Sequence, residues 1–274
     1  TDLWLAISLA CSIRLMEYAT FNIQKIKTIS ELTARYKHNR RINISSNVKA
    51  SEIHKNQHQG KDIPAKIQNR MHDINSIRKN EGGRKLRNDT VPAVELVLGA
   101  SADFFKDTSV KDDNFLDEWA QTQIDWATDY YKGRGRIAGW DLHSRDEKTP
   151  HLHIIFIPET IIADKRTGKN LPTLSAKDFM GTKSEMNRAR SSHAKANEIY
   201  GLKRGRNYYK EGKTPPDYRS MNELKRATSK AVDDLELVEG LYDIDMLEIL
   251  DQQQSNQLKR IKKKVRAPEQ TPTP

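Results

Sequence analysis

The segment His151-Leu-His-Ile-Ile-Phe-Ile157 limits what this chain can become more than any other stretch of it. It is too apolar to lie in solvent and reads as a strand, in which neighbouring side chains point to opposite faces. Leu152 therefore points into a core, while His151 and His153, two residues apart, project together from the other face. Arg136-Ile-Ala-Gly-Trp-Asp-Leu-His143 reads as a preceding strand, joined to the first by the polar corner Ser144 to Pro150. Folded as an antiparallel hairpin, the two bring three imidazoles together. Each neutral ring offers one nitrogen lone pair, so such a trio suits a divalent transition metal with coordination positions left for water or a phosphate oxygen. Asp146 and Glu147, in the corner, are candidates to orient the rings or to add a ligand.

Around this hairpin the pattern is that of an α/β (α+β) domain. Met16 to Ile26 alternates Ala19, Phe21 and Ile23 with polar neighbours, as a half-buried strand does, and Val91 to Gly99 is a second apolar strand. Ser30 is placed to cap a short helix toward Tyr36, and Ile63 to Arg78 and Asp113 to Tyr131 carry apolar residues at helical spacing. The polar residues Ile42 to Asp62 read as a long loop. These elements predict an antiparallel sheet of about five strands flanked by helices. A single cysteine, Cys11, excludes a disulfide framework and a cysteine-built zinc site. The longest mainly apolar run, Leu3 to Ile13, falls short of the ~20 residues that cross a bilayer.

Charge points to a polyanionic partner. The net charge is +10, and its distribution is uneven: Gln24 to Thr90 holds 16 Lys/Arg against 6 Asp/Glu, Val91 to Pro150 holds 7 against 12, and Lys165 to Lys230 holds 17 against 6. Two basic stretches thus flank an acidic, histidine-bearing middle, which favours nucleic acid.

Three separated segments give the chain a family likeness: the Met16 strand followed by Tyr36-Lys-His-Asn-Arg-Arg41, then Asp146-Glu-Lys-Thr-Pro-His-Leu-His153, then Leu174-Ser-Ala-Lys-Asp-Phe-Met-Gly181. Over about residues 16–210 the chain resembles the plasmid mobilisation and recombination relaxases of the Mob/Pre (MobV) type, endonucleases with a His-hydrophobe-His motif. One departure stands out. The family pattern sets its first histidine at position 144, which here is Ser144, with His143 one residue earlier. On a strand a one-residue slip changes the face, so either a bulge re-aims His143 or the site is impaired.

The resemblance implies metal-dependent, strand-specific nicking of plasmid DNA at a transfer origin, in the bacterial cytoplasm, with Mn²⁺ or Mg²⁺ on His143, His151 and His153. A side chain attacks the phosphodiester, keeps the 5′-phosphate and frees a 3′-hydroxyl. His38 of the Lys-His-Asn segment maps to that nucleophile and Glu147 to a catalytic carboxylate; Tyr36 and Tyr18 are the alternative nucleophiles. Lys37, Arg40, Arg41, Lys177, Lys183, Arg188, Arg204 and Arg206 are candidate contacts to supercoiled and single-stranded origin DNA, and Arg204, Arg206, Tyr208 and Tyr209 interleave cations with rings as single-strand binders do. Two rivals remain at this point: a rolling-circle replication initiator using tyrosine, and a plasmid DNA-binding protein without catalysis.

The expected organisation is an extension over residues 1–15, a relaxase domain over 16–215, a helical C-terminal region over 216–266 and a disordered tail over 267–274. The apolar positions Leu241, Ile244, Leu247, Leu250 and Leu258 suggest a self-association helix that would make a homodimer, and the basic stretch Lys259 to Arg266 would suit DNA, a coupling protein or an anionic membrane surface.

Overall fold

A computed structural model describes residues 17–106, 112–207 and 210–213. The expected extension, helical C-terminal region, basic stretch and tail, together with Tyr208 and Tyr209, lie outside the described residues. Among those described, no helix is long and apolar enough to cross a membrane.

The strands are β1 (Tyr18–Ile26), β2 (Gln57–Gln59), β3 (Ala93–Ala100), β4 (Arg136–His143), β5 (His151–Ile157), β6 (Glu159–Ala163), β7 (Asn170–Leu174) and β8 (Lys203–Arg204). The main helices are α1 (Ile29–Asn39), α2 (Ile63–Asn80), α3 (Asp113–Tyr130), α4 (Ala176–Met180) and α5 (Lys183–Ala196). Six strands form one sheet in the order β2-β4-β5-β3-β1-β8, and β6 and β7 make a separate hairpin. All pairings are antiparallel except the short β1–β8 contact. The expected sheet of about five antiparallel strands is therefore present, with β8 added at its edge.

Alternation along the strands divides the sheet into two unlike faces. On one, Leu152, Ile154 and Phe156 of β5 join Leu96 and Leu98 of β3 and Leu142 of β4, and pack against Leu116, Trp119, Ala127 and Phe179 of the helices. Removing each of the leucine, isoleucine and phenylalanine side chains from water stabilises the fold by ~1.5–3 kcal/mol. On the other face the strands change character along their length. Ile155 and Ile157 pack under Leu32 of α1 and Ile63, Ile67 and Ile74 of α2, whereas His151 and His153 lie beyond that cover. Half of this face is apolar core, and the other half is polar, largely buried and able to form a site.

Three local expectations are corrected. Thr28, not Ser30, caps α1: its side chain accepts from Glu31 N while Glu31 Oε2 accepts from Lys27 N, satisfying two donors reciprocally. The helix then runs on through Lys37-His-Asn39, so His38 sits on its last turn. The supposed loop from Ile42 to Asp62 contains a 3₁₀ turn, Ala50–Lys55, and edge strand β2, because backbone pairing with β4 orders a stretch too polar to show periodicity.

A bulge sets the phase of β4. Ile137 opposes Phe156, yet Gly139 opposes Ile155, so Ala138 is the inserted residue. Beyond it His143 faces His151 and Asp141 faces His153. Unbulged pairing would have placed Leu142 opposite His151 and turned His143 to the apolar face. Gly139 makes the tight passage beside β2 possible, since a Cβ there would lie 2.5 Å from the Gln59 carbonyl and 2.6 Å from Ile63 Cδ1. Gly139→Ala is expected to destabilise the protein by ~1–3 kcal/mol through overpacking, read from the midpoint of urea denaturation; an unchanged midpoint would contradict the close passage.

Candidate active site

His143, His151 and His153 converge on the polar half of that sheet face, with potential ligand atoms all within 4.8 Å of one another. Their ring centroids are 4.8–4.9 Å apart. The outer nitrogen of each ring has an oxygen acceptor: His143 Nε2 meets the Asn39 carbonyl at 2.8 Å, His151 Nδ1 the Thr149 carbonyl at 2.8 Å, and His153 Nδ1 the Glu95 carboxylate at 2.9 Å. An acceptor requires an N–H, and a neutral imidazole has one, so the inner nitrogens carry lone pairs. His143 Nδ1 and His151 Nε2 then face each other at 3.1 Å, and buried His153 Nε2 has no partner among the described residues. Lone pairs crowded in this way suit a shared cation. Burial foremost, then the neighbouring rings and Arg41, holds His143 and His151 well below the ordinary histidine range, so both stay neutral at pH 7.

Carboxylates tie α1 to the hairpin. Glu95, an acid in the otherwise apolar β3, is 2% exposed and accepts from His153, from Asn39 Nδ2 at 3.0 Å and from Arg35 Nη1 at 2.5 Å. Burial opposes its charge, but these partners outweigh burial and hold its carboxyl at about 2. Arg41 is buried, with φ 55°, and donates to Asp146 Oδ2 and to Glu147 Oε1, each at 2.6 Å. Asn56 Nδ2 also donates to Asp146, which closes the corner.

His38 and His153 line one cleft of about 490 Å³ together with Arg35, Asn39, Glu95 and Gln24. Burial first, then the charge of Arg41 and the His153 ring, lowers the His38 pKa below its ordinary 6.5, leaving a neutral ring at pH 7. Glu147 acts weakly in the opposite sense and is thereby within electrostatic reach of His38. Tyr36 packs against the core under α1 with Arg40 over its ring at 5.3 Å, while Tyr18 starts β1.

The expected phosphate contacts divide. Lys37 is exposed on the last turn of α1. Arg41 is corrected to an internal tie, because it is buried and its Nε and Nη2 bond Asp146 and Glu147. Arg40 is corrected likewise: it donates to the Gln59 and Gly60 carbonyls, and its Nε lies 2.5 Å from Asp141 Oδ1 in an ion contact without hydrogen-bond alignment. Burial foremost, against the pull of Arg40, raises the Asp141 carboxyl to about 6. Lys177, Lys183 and Arg188 are exposed on α4 and α5, and Arg204 leans on α5; these helices pack on the sheet face opposite the histidines. Arg206 pairs with Glu211 at 2.8 Å. Sequence reasoning missed Glu95, Arg35 and Asn39. The signal for Glu95 was a lone acid in an apolar strand, which burial permits only with partners.

The Glu95 carboxyl moves from an ordinary 4.5 to about 2 on folding, so its contribution is complete above pH 4.5 and fades as pH falls toward 2. Glu95→Gln is expected to cost on the order of 3 kcal/mol at pH 7, with the gap from wild type narrowing between pH 4.5 and 2 in urea denaturation. A gap independent of pH would contradict the assignment.

Comparison with known proteins places this geometry in context. The family model described as plasmid recombination enzyme, Mob_Pre, matches residues 16–220. A 65 kDa protein of Zymomonas mobilis is 28% identical over 69% of the chain, and plasmid recombination enzyme type 3 of Staphylococcus aureus is 29% identical over 69% of it. The chain spans 30% and 44% of those relatives' lengths. Among solved structures, the Mn-bound MobM relaxase domain in complex with plasmid pMV158 oriT DNA matches with TM-score 0.59 at 23% identity, over 77% of this chain and 99% of that one; the likeness is one of fold. Taken with the family match over most of its length, the chain belongs to the Mob_Pre family of plasmid recombination enzymes.

Proposed function

We propose that this chain is the nicking domain of a plasmid mobilisation relaxase, which cuts one DNA strand at a transfer origin and retains the 5′-phosphate on His38. The observation that carries the reading is the set of three inward lone pairs on His143, His151 and His153, beside a neutral imidazole that shares a cleft with His153. The residues fit a divalent cation, Mn²⁺ or Mg²⁺. When bound, such a cation supplies positive charge to the scissile phosphate and its pentacovalent transition state.

The other parts come from the chain. Asn39, Thr149 and Glu95 fix the tautomers, so the rings need no rearrangement to offer their lone pairs. His38 attacks phosphorus with its unprotonated nitrogen: an N–P bond forms, the bond to the 3′ oxygen breaks, and that oxygen takes its proton from solvent water as the ring's other N–H gives one up to solvent. Glu147 stands within electrostatic reach to steady the charge that develops on the ring, and Lys37 is free to meet a phosphate. The place of action is the bacterial cytoplasm, and the substrate is supercoiled plasmid whose origin is presented as a single strand. His143 takes the role that the family pattern gives to position 144, through the bulge at Ala138.

Incubating supercoiled plasmid that bears the cognate origin with protein and Mn²⁺ is expected to yield relaxed circles and a protease-sensitive adduct, both abolished by a chelator. His38→Ala should reduce nicking by roughly 10³-fold or more, whereas Tyr36→Phe and Tyr18→Phe keep the adduct. Loss of the adduct in a tyrosine variant alone would overturn the assignment, and binding without relaxation would leave a DNA-binding protein.

A further inference from the structure

On the sheet face opposite the histidines, Ala19 and Phe21 of β1 floor a small recess of about 170 Å³ walled by Arg190, Arg204, Gly205 and Arg206. No carboxylate lines it among the described residues. Arg190 lies over the Phe21 ring at 5.7 Å. Arg204 is held rigidly by polar neutral groups, donating to Ser191 Oγ at 2.9 Å, to Asn187 Oδ1 at 2.6 Å and to the Gly205 carbonyl at 2.9 Å. Arg206 pairs with Glu211, whereas among the described residues no carboxylate lines the recess beside Arg190 and Arg204.

Two guanidiniums kept together without a carboxylate repel each other, and partial burial together with Arg190 does lower the Arg204 pKa. Fixing Arg204 with neutral acceptors preserves its charge for something outside the chain. Cations that meet phosphates beside an aromatic ring are the composition of single-strand binders. The recess has room for a phosphate group between the two guanidiniums.

The path to the site supports a strand over a free anion. Among the described residues, β8 pairs only with Tyr18 and Ala19, and the outer edge of β1 from Thr20 onward carries no neighbour in the sheet. The histidine cleft reaches β1 at Gln24 from one face, and the recess reaches it at Phe21 from the other. A chain of phosphates rounding that edge can meet both.

We infer that the Arg190–Arg204 recess binds a phosphodiester of the DNA strand as it passes from the histidine cleft around the edge of β1. This rests on the relaxase reading, and the test separates the two. Binding of a fluorescein-labelled oligo(dT) of about thirty nucleotides is followed by anisotropy across a salt titration. Arg190 is exposed, so Arg190→Ala and Arg190→Glu should fold as wild type does, checked by thermal melting. Arg190→Ala is expected to weaken binding ~3–10-fold and to reduce the slope of log K against log salt by about 0.7, the loss of one single-strand phosphate contact. Arg190→Glu should weaken it further, while Lys195→Ala, an equal loss of charge on the same helix, changes it less than twofold.

Wild-type binding indifferent to Arg190, or weakened as much by Lys195→Ala, overturns the recess and leaves the relaxase reading intact. If inorganic phosphate raises the melting temperature in an Arg190-dependent manner while oligonucleotide binding ignores Arg190, the recess is a free-phosphate site and the strand assignment is overturned. Failure of wild-type protein to bind the oligonucleotide at all overturns the recess, while the relaxase reading stands or falls with the nicking of the cognate origin.

Discussion

The Glu95 carboxylate is the joint on which the rest of the site depends. It sits in the middle of the sheet, almost without solvent, and is kept ionised by His153 from β5 and by Arg35 and Asn39 from α1. An isolated buried carboxylate would be too costly to keep charged, so the three donors are a condition of folding as well as a product of it. The same bonds settle chemistry. One fixes which nitrogen of His153 carries the proton, and another holds the end of α1, where the Asn39 carbonyl does the same for His143 and where His38 is carried. Metal-ligand candidates and nucleophile candidate are thus positioned by one charge network.

Much of this was legible in the sequence. The apolar alternation of β5 announced the sheet, the paired histidines and their shared face, because a period of two leaves no other outcome once the strand is buried. The position of His143 relative to Ser144 raised the question of phase, and the structure answers it five residues upstream, at Ala138. Its location could not be read in advance, since a bulge depends on how Gly139 passes β2, a contact between segments eighty residues apart. β2 itself was read as loop for a related reason: Gln57, His58 and Gln59 have no apolar period, and only the edge of β4 makes them a strand.

The arginines show where composition misleads. Arg40 and Arg41 follow His38 and look like phosphate contacts, yet both turn inward, the first to Asp141 and the edge of β2, the second to Asp146 and Glu147. Counting charge by segment places all of them in a basic stretch. It cannot show that the acidic middle of the chain, folded against that stretch, claims some of those charges for itself. What remains outward is a smaller set, and the recess at Phe21 shows that part of it lies on the far face of the sheet.

The claim most in need of a direct look is that three imidazoles present their inner nitrogens to one cation. Crystals grown with Mn²⁺ and measured at its absorption edge would give an anomalous map in which one strong peak is predicted in contact with His143, His151 and His153, on the side of the sheet that carries His38. A peak held by Asp146 and Glu147 instead, or by only the two histidines of β5, would contradict the account.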